Sequence, residues 1–147
     1  NMSYVGIATG EGGRRAAGGD KLSLDTPGYF MQPTVIADTD PGMRINCEEV
    51  FGPVVSTVRA KDYAEALEFA NRGEFGLSAG IVSNNAKLIR DFRKNVRAGM
   101  VMVNLPTAGV DYHVPFGGTR GSSYGPREQG FAAVEFYTQI KTVYTGD

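Results

Sequence analysis

The chain has 147 residues, a formal net charge of −1 and a hydrophobic content of 41%. This length suits one domain with a core of its own, and the composition is typical of a globular protein rather than a disordered one. No basic block suggests binding to nucleic acid or to a membrane surface, and no apolar run approaches the length of a membrane span. The single cysteine, Cys47, cannot form an internal disulfide, which fits a cytoplasmic location.

The N-terminal part of the chain carries weak structural signals. Residues 4–8 predict a short strand. Residues 10–19 are rich in glycine, but the spacing of a phosphate-binding loop would require lysine where Gly19 stands, so a flexible surface loop is the preferred interpretation. Residues 28–36 predict a strand that is either buried on both faces or is an edge strand interrupted at Pro33.

The central part alternates between strand and helix patterns. The first expected helix begins at Asp62, with Glu65 placed as in a capping box, and the second follows Asn84 or Asn85. The order β-α-β-α-β predicts an α/β protein with a mainly parallel, helix-covered sheet. Strands are expected at residues 54–58, 77–83 and 100–104, and helices at residues 62–71 and 86–96.

The C-terminal part contains a long loop and a lone strand pattern. Residues 105–124 are dense in proline and glycine and follow a strand, where α/β sheets place their ligands. Residues 127–137 predict a helix. Residues 138–144 alternate and are β-branched, so they predict a final edge strand that invites pairing with another chain. We therefore expect a main domain at residues 1–138, an oligomerisation strand and tail at 139–147, and a homo-oligomer.

Residues 48–53, with the sequence Glu-Glu-Val-Phe-Gly-Pro, form the most informative segment. Gly52 and Pro53 predict a sharp turn into the strand that follows. A carboxylate and an aromatic ring beside a rigid turn would make a suitable wall for a ligand. The alternative is an exposed acidic pair next to a phenylalanine of the core.

Two further motifs lie downstream, Pro-Phe-Gly-Gly at residues 115–118 and Gly-Pro-Arg-Glu-Gln-Gly at residues 125–130. Together with residues 48–53 they resemble, in order and in approximate spacing, three motifs of the aldehyde dehydrogenase superfamily. The resemblance covers residues 28–144 and only the C-terminal portion of that family. The segments at residues 104–118 and 122–130 are most similar to those of bacterial α-ketoglutaric semialdehyde (2,5-dioxovalerate) dehydrogenases, whereas residues 119–121 depart from the usual basic pair of that group.

The resemblance implies roles in binding a cofactor, NAD or NADP. Glu49 matches the residue whose carboxylate binds the nicotinamide ribose hydroxyls, which is chemically reasonable because a carboxylate accepts from two neighbouring donors. Phe51 matches the ring that packs beside the nicotinamide. Glu48 is interpreted as structural.

The resemblance also implies residues on the aldehyde side. Phe116 matches an aromatic of the aldehyde tunnel, with a plain core phenylalanine as the alternative, and Asn104 matches an asparagine that helps to order the active-site loop. Thr107 and His113 are candidate donors to an acidic aldehyde, although His113 could instead be a loop histidine bonded to the backbone. Arg120 and Ser122 are further candidate donors. Arg127 and Glu128 are expected to be structural, and no metal site is predicted.

The resemblance assigns no catalytic residue to this chain. The family's nucleophilic cysteine lies far upstream of the motif at residues 48–53, so Cys47 is interpreted as a small buried side chain. The chain is therefore expected to be a C-terminal fragment of an NAD(P)-dependent aldehyde dehydrogenase that lacks the catalytic cysteine, the general-base glutamate and the Rossmann domain. The alternative is a non-catalytic, self-associating module produced by a truncated gene.

Overall fold

The computed structural model describes residues 1–147 as two compact units, Asn1–Phe69 and Ala70–Asp147. The helices are α1 (Met2–Gly10), α2 (Arg44–Cys47), α3 (Tyr63–Arg72), α4 (Ala86–Asn95) and α5 (Ala132–Tyr137), with a 3-10 turn at Arg120–Ser122. The strands are β1 (Arg14–Ala17), β2 (Lys21–Leu22), β3 (Phe30–Met31), β4 (Thr34–Thr39), β5 (Val54–Val58), β6 (Ser78–Ile81) and β7 (Met100–Val103).

The first unit is built around strand β4. It lies between β1, which is antiparallel to it, and β5, which is parallel to it. Its inward residues include Ile36, which is fully buried and packs with Val5 and Ala8 of α1 and Ile45 of α2. The strand expected at residues 28–36 is interrupted at Pro33, because β3 ends before it and β4 begins directly after it. The expectation of an edge strand is wrong, because β4 pairs with a neighbour on each side.

Two N-terminal predictions are wrong. Residues 4–8 lie in helix α1 rather than in a strand, because Val5 and Ala8 are three positions apart and so share the helix face that covers Ile36. The predicted flexible loop at residues 10–19 contains strand β1, which pairs with β4. A side chain at Gly13 would collide with Ala8 and Ile36, so glycine allows the chain to pass close to the core there.

The second unit contains the parallel pair β6–β7, joined by helix α4. Phe92 and Val96 are its buried apolar residues. Asn85, rather than Asn84, caps α4: its side-chain oxygen accepts from the backbone N–H groups of Lys87 and Leu88 at 3.0 and 3.3 Å. The parallel pairs β4–β5 and β6–β7 confirm the expected α/β class.

Two C-terminal predictions also need correction. The last helix begins at Ala132 instead of residue 127, because Glu128 pairs with Phe116 of the loop before it and Gln129 has a left-handed backbone, neither of which fits a helix. Residues 138–147 form no strand, since a strand needs a partner and none is available to them within the chain. Ile140 is 99% exposed. No helix of the structure is both long enough and apolar enough to cross a bilayer.

Replacing the cap of α4 gives a direct test of this local geometry. We expect Asn85→Ala to reduce the free energy of unfolding by about 1 kcal/mol, because two N–H groups of the first turn lose their acceptor. Urea denaturation followed by circular dichroism would measure the change. Asn84→Ala is the matched control and should leave the midpoint unchanged. Equal effects of both substitutions would contradict the assignment of Asn85 as the cap.

Candidate functional site

In the first unit, the motif at residues 48–53 follows helix α2 and leads into β5. Both carboxylate oxygens of Glu48 are engaged: Arg44 Nε and Nη2 donate to them at 2.8 and 3.0 Å, and the hydroxyl of Tyr4 donates to Oε2 at 2.6 Å. The Arg44 guanidinium and the Tyr4 hydroxyl lower the pKa of Glu48 to about 2. The stability that these contacts supply is thus present above the ordinary carboxyl pKa and is lost as the pH falls toward 2.

Glu49 and Phe51 have very different surroundings from Glu48. The carboxylate of Glu49 is exposed and has no hydrogen-bond or ion-pair partner in the chain. The side chain of Phe51 is 86% exposed, so it is not the core phenylalanine of the alternative interpretation. Phe51 also has a φ of 52°, a left-handed conformation that costs roughly 1 to 3 kcal/mol and concentrates at functional sites.

In the second unit, Asn104 directly follows β7 and has a φ of 55°. Its side chain bonds the backbone of Ser83 twice, since Oδ1 accepts from the Ser83 N–H at 2.8 Å and Nδ2 donates to the Ser83 carbonyl at 3.1 Å. Its own N–H donates to the Ile81 carbonyl. Asn104 therefore ties the end of β7 to the segment after β6, an arrangement that orders the loop entrance.

Thr107 and His113 lie in the long loop after β7, and both are exposed. The methyl group of Thr107 would be 3.2 Å from a side-chain carbon added at Gly80, so the loop passes closely over β6. The His113 ring contacts the ring of Tyr112 edge to face, with centroids 5.5 Å apart. Neither polar side chain is committed to a hydrogen bond within the chain.

The second and third motifs are joined by backbone hydrogen bonds. The Phe116 N–H donates to the Glu128 carbonyl at 2.7 Å, and the Glu128 N–H donates back at 2.8 Å. Arg127 Nη1 donates to the carbonyl of Gly118. A side chain at Gly99 would collide with the Gly117 carbonyl, so glycine there permits the close approach. Arg127 and Glu128 thus hold the loop that carries Phe116, which is half-buried.

Arg120 does not provide the free cation that was considered for an acidic substrate. Its guanidinium donates to the carbonyls of Asn71, Gly73 and Arg97, with Nη2 at 2.9 Å from the Arg97 oxygen. Ser122 is similarly engaged, because its hydroxyl accepts from the Gly76 N–H at 2.8 Å. Both side chains fix the loop to neighbouring segments of the unit, so they are structural.

Cys47 is exposed and not buried as expected. The short helix α2 buries Ile45 instead and turns Cys47 outward, where its sulfur lies 3.4 Å from the Pro41 carbonyl oxygen. No base is paired with this thiol in the structure. His, Cys, Asp and Glu residues form no group of three or more that could hold a metal ion.

Three residues with distinctive surroundings were missed by sequence reasoning. The i, i+4 spacing of Arg44 and Glu48 could have predicted their ion pair. Tyr4 carries no such signal, because it is 44 positions from Glu48. Gln129 has a φ of 64° and a buried side-chain oxygen without a hydrogen-bond partner. Backbone strain together with unmet hydrogen-bonding capacity is typical of functional loops.

The comparisons with known proteins agree on one family. The model of the aldehyde dehydrogenase family matches residues 1–143. An α-ketoglutarate semialdehyde dehydrogenase from Haloferax volcanii is 47% identical over 97% of the chain, and an α-ketoglutaric semialdehyde dehydrogenase from Bacillus subtilis is 40% identical over 97%. The chain spans about 30% of the length of each of these relatives.

Solved structures give the same result. An indole-3-acetaldehyde dehydrogenase from P. syringae, in complex with NAD⁺, superposes with a TM-score of 0.87 and 33% identity over 95% of the chain and 28% of its own. A protein described as an aldehyde dehydrogenase from Burkholderia cenocepacia superposes with a TM-score of 0.86 and 37% identity over 94% of the chain and 28% of its own.

The contacts of Arg120 predict a purely structural effect of its replacement. We expect Arg120→Met to lower the free energy of unfolding by about 1 to 2 kcal/mol, because the carbonyls it bonds lose a charged donor. Thermal unfolding would measure the loss, with Arg90→Met, an exposed arginine on α4, as the control. Unchanged stability in Arg120→Met would show that these hydrogen bonds are not formed in solution.

Proposed function

The chain belongs to the aldehyde dehydrogenase family, and from this premise we propose that it is the C-terminal part of an NAD(P)-dependent aldehyde dehydrogenase, an enzyme that oxidises an aldehyde to the carboxylate. The observation that carries the proposal is the motif at residues 48–53. It presents one carboxylate without a partner and, two residues later, one strained and exposed aromatic ring. The whole enzyme would need a part that this chain does not contain.

The cofactor side is assigned to Glu49 and Phe51. The Glu49 carboxylate would accept hydrogen bonds from the two ribose hydroxyls next to the nicotinamide, and its lack of a partner in the chain leaves both oxygens available. The Phe51 ring would pack beside the nicotinamide. NAD(P)⁺, when bound, supplies the hydride acceptor. A solved complex of a related enzyme with NAD⁺ supports the choice of cofactor.

The aldehyde side is assigned to Phe116, Asn104, Thr107 and His113. The half-buried Phe116 would contribute to the wall of the aldehyde tunnel, and Asn104 would order the loop entrance. Because Arg120 and Ser122 are engaged with the backbone, Thr107 and His113 are the remaining polar candidates for an acidic substrate. We propose α-ketoglutaric semialdehyde as that substrate, on the strength of the similar enzymes from H. volcanii and B. subtilis.

The nucleophile and the general base are assigned to no residue here. Aldehyde oxidation by this route needs an activated thiolate and a base for the attacking water. Cys47 has neither a base nor a cation bonded to its sulfur, which contacts only a carbonyl oxygen. We therefore propose that the 147 residues have no dehydrogenase activity alone. The single cysteine also motivates our proposal of a cytoplasmic location.

A second candidate function is a self-associating module without catalysis, which is favoured by the exposed tail. Residues 139–147 carry apolar side chains with nothing to cover them, among them Ile140 and Tyr144 at 99% and 94% exposure. We propose that this segment pairs with another copy of the chain, so that the protein is a homo-oligomer. Such pairing would be needed in the enzyme and in the module alike.

Turnover tests the first proposal. The purified chain should reduce neither NAD⁺ nor NADP⁺ with α-ketoglutaric semialdehyde, whereas a hybrid in which it replaces the matching part of the H. volcanii relative should do so. In the hybrid, Glu49→Gln should raise KM for the cofactor by about tenfold, because a charged acceptor is lost. Glu74→Gln, which changes an exposed carboxylate elsewhere, is the control. Turnover by the purified chain alone, or an inactive but folded hybrid, would contradict the proposal.

Light scattering tests the second proposal. We expect the full chain to be a dimer or larger, and a variant that ends at Thr138 to be monomeric, because it has lost the exposed segment that would pair as a strand with another copy. A variant that ends at Thr145 keeps residues 139–144 and serves as the control, so it should retain the mass of the full chain. A full chain that stays monomeric at every concentration would rule out this mode of assembly.

A further inference from the structure

We propose that Tyr4, Arg44 and Glu48 act together as a positioning cluster that aims Glu49 and Phe51 at the cofactor. This inference rests on the proposed function, because it takes Glu49 and Phe51 as the cofactor-facing residues. None of the three touches the cofactor in this account. They act through the backbone of residues 48–53.

The cluster is a closed set of contacts around one carboxylate. Arg44 approaches Glu48 with two nitrogens in the fork geometry that suits a carboxylate, and Tyr4 donates its hydroxyl to the same group. The Arg44 guanidinium also lies 5.9 Å from the centre of the Tyr4 ring. Helices α1 and α2 are thus both fixed to the first residue of the motif.

The fixed orientation of Glu48 determines where Glu49 points. Glu48 has extended backbone angles, with φ of −111° and ψ of 154°. Successive side chains of an extended backbone point to opposite sides. Glu49 is therefore directed away from Arg44 and Tyr4, which explains why one carboxylate of the pair is fully bonded and its neighbour has no partner.

The other end of the motif is fixed as well. The Pro53 carbonyl accepts from the N–H of the buried Thr34 at 2.8 Å, and a side chain at Gly52 would collide with Asn1. Phe51 lies between these two fixed ends. Its left-handed backbone can persist only where its surroundings hold it, and its exposed ring makes little contact that could do so.

The contacts of Glu48 are better suited to positioning than to stability. Arg44 and Glu48 have 52% and 39% of their side-chain surface exposed, and ion pairs in such surroundings add little to the stability of a fold. Their geometry is nevertheless specific, with two parallel N–H donors and a hydroxyl on one carboxylate. The principal consequence is therefore a fixed direction for the residues that follow.

The first experiment uses the full chain without cofactor. In the unsubstituted chain, NMR should show the strong amide-to-α-proton signal within Phe51 that a positive φ produces. In Glu48→Gln this signal should weaken. The hydrogen exchange of the Thr34 amide should also become about fivefold faster relative to that of the Gly13 amide, because a well-formed exposed ion pair contributes a free energy of that order. Gly13 donates to Ala8 in the same unit and reports general loosening.

Further variants separate positioning from stability. Asp38→Asn removes the charge from an exposed contact of the same length, 2.8 Å to Arg14, and should leave both signals unchanged. Tyr4→Phe keeps the ring and should produce the same changes as Glu48→Gln at smaller amplitude, which secures the test if Glu48→Gln does not fold. If the Thr34 and Gly13 amides accelerate by equal factors, or if the Phe51 signal stays unchanged, the proposal is wrong.

The hybrid enzyme described above gives a kinetic test. Glu48→Gln should raise KM for NAD⁺ by about threefold, while KM for the aldehyde and the melting temperature change little. An unsubstituted hybrid without turnover would count against the proposed function and leave the NMR result to decide the present inference. An active hybrid whose KM for NAD⁺ is unchanged by Glu48→Gln would overturn the positioning role.

Discussion

Parallel strand pairing is the constraint on which the rest of this structure depends. Two parallel strands cannot be joined by a tight turn, so each pair requires a crossover. The crossover from β4 to β5 contains helix α2 and residues 48–53, and the crossover from β6 to β7 contains helix α4. Each unit therefore has a long connection between parallel strands, and the N–H and carbonyl groups of that connection need hydrogen-bond partners outside the sheet. The candidate site residues of the first unit, Glu49 and Phe51, lie in the connection from β4 to β5.

Two left-handed residues of the candidate site lie near strand ends. Phe51 precedes β5 and Asn104 follows β7, and both have a φ above 50° without being glycine. Different contacts hold them. Asn104 is fixed by its own side chain through Ser83, whereas the exposed ring of Phe51 has no such bond and depends on its neighbours in the chain. The left-handed backbone of Asn104 is thus held by its own side chain, whereas that of Phe51 is held by the contacts of neighbouring residues.

Sequence reasoning succeeded where a structure depends on local pattern. Periodicity, β-branching and cap residues, all of them signals within a few residues of each other, predicted helices α3 and α4 and strands β5 to β7. It failed where contacts with residues distant in the sequence determine the local structure. Residues 4–8 are helical because Val5 and Ala8 cover Ile36, and the last helix starts five residues later than expected because Glu128 pairs with Phe116.

The candidate site shows the same division. Glu49 and Phe51 are candidates from the motif alone, and their role stays a prediction. Nothing in the sequence indicates that Tyr4 reaches Glu48 or that Arg120 reaches three carbonyls. An arginine is a strong donor to any acceptor, and the helix end nearest to it offered carbonyls without partners. A charged residue in a candidate loop is therefore evidence for substrate binding only if its side chain is not already bonded to nearby backbone carbonyls.

The two adjacent glutamates show how one sequence feature can serve two purposes. A single carboxylate next to Arg44 and Tyr4 would be drawn into their hydrogen bonds and be unavailable to a ligand. With two carboxylates, the first satisfies the arginine and the hydroxyl, and the extended backbone turns the second away from both. The first glutamate thus keeps the second without a partner. If Glu49 binds the cofactor as proposed, this division explains why the motif carries an acidic pair before the turn and not a single carboxylate.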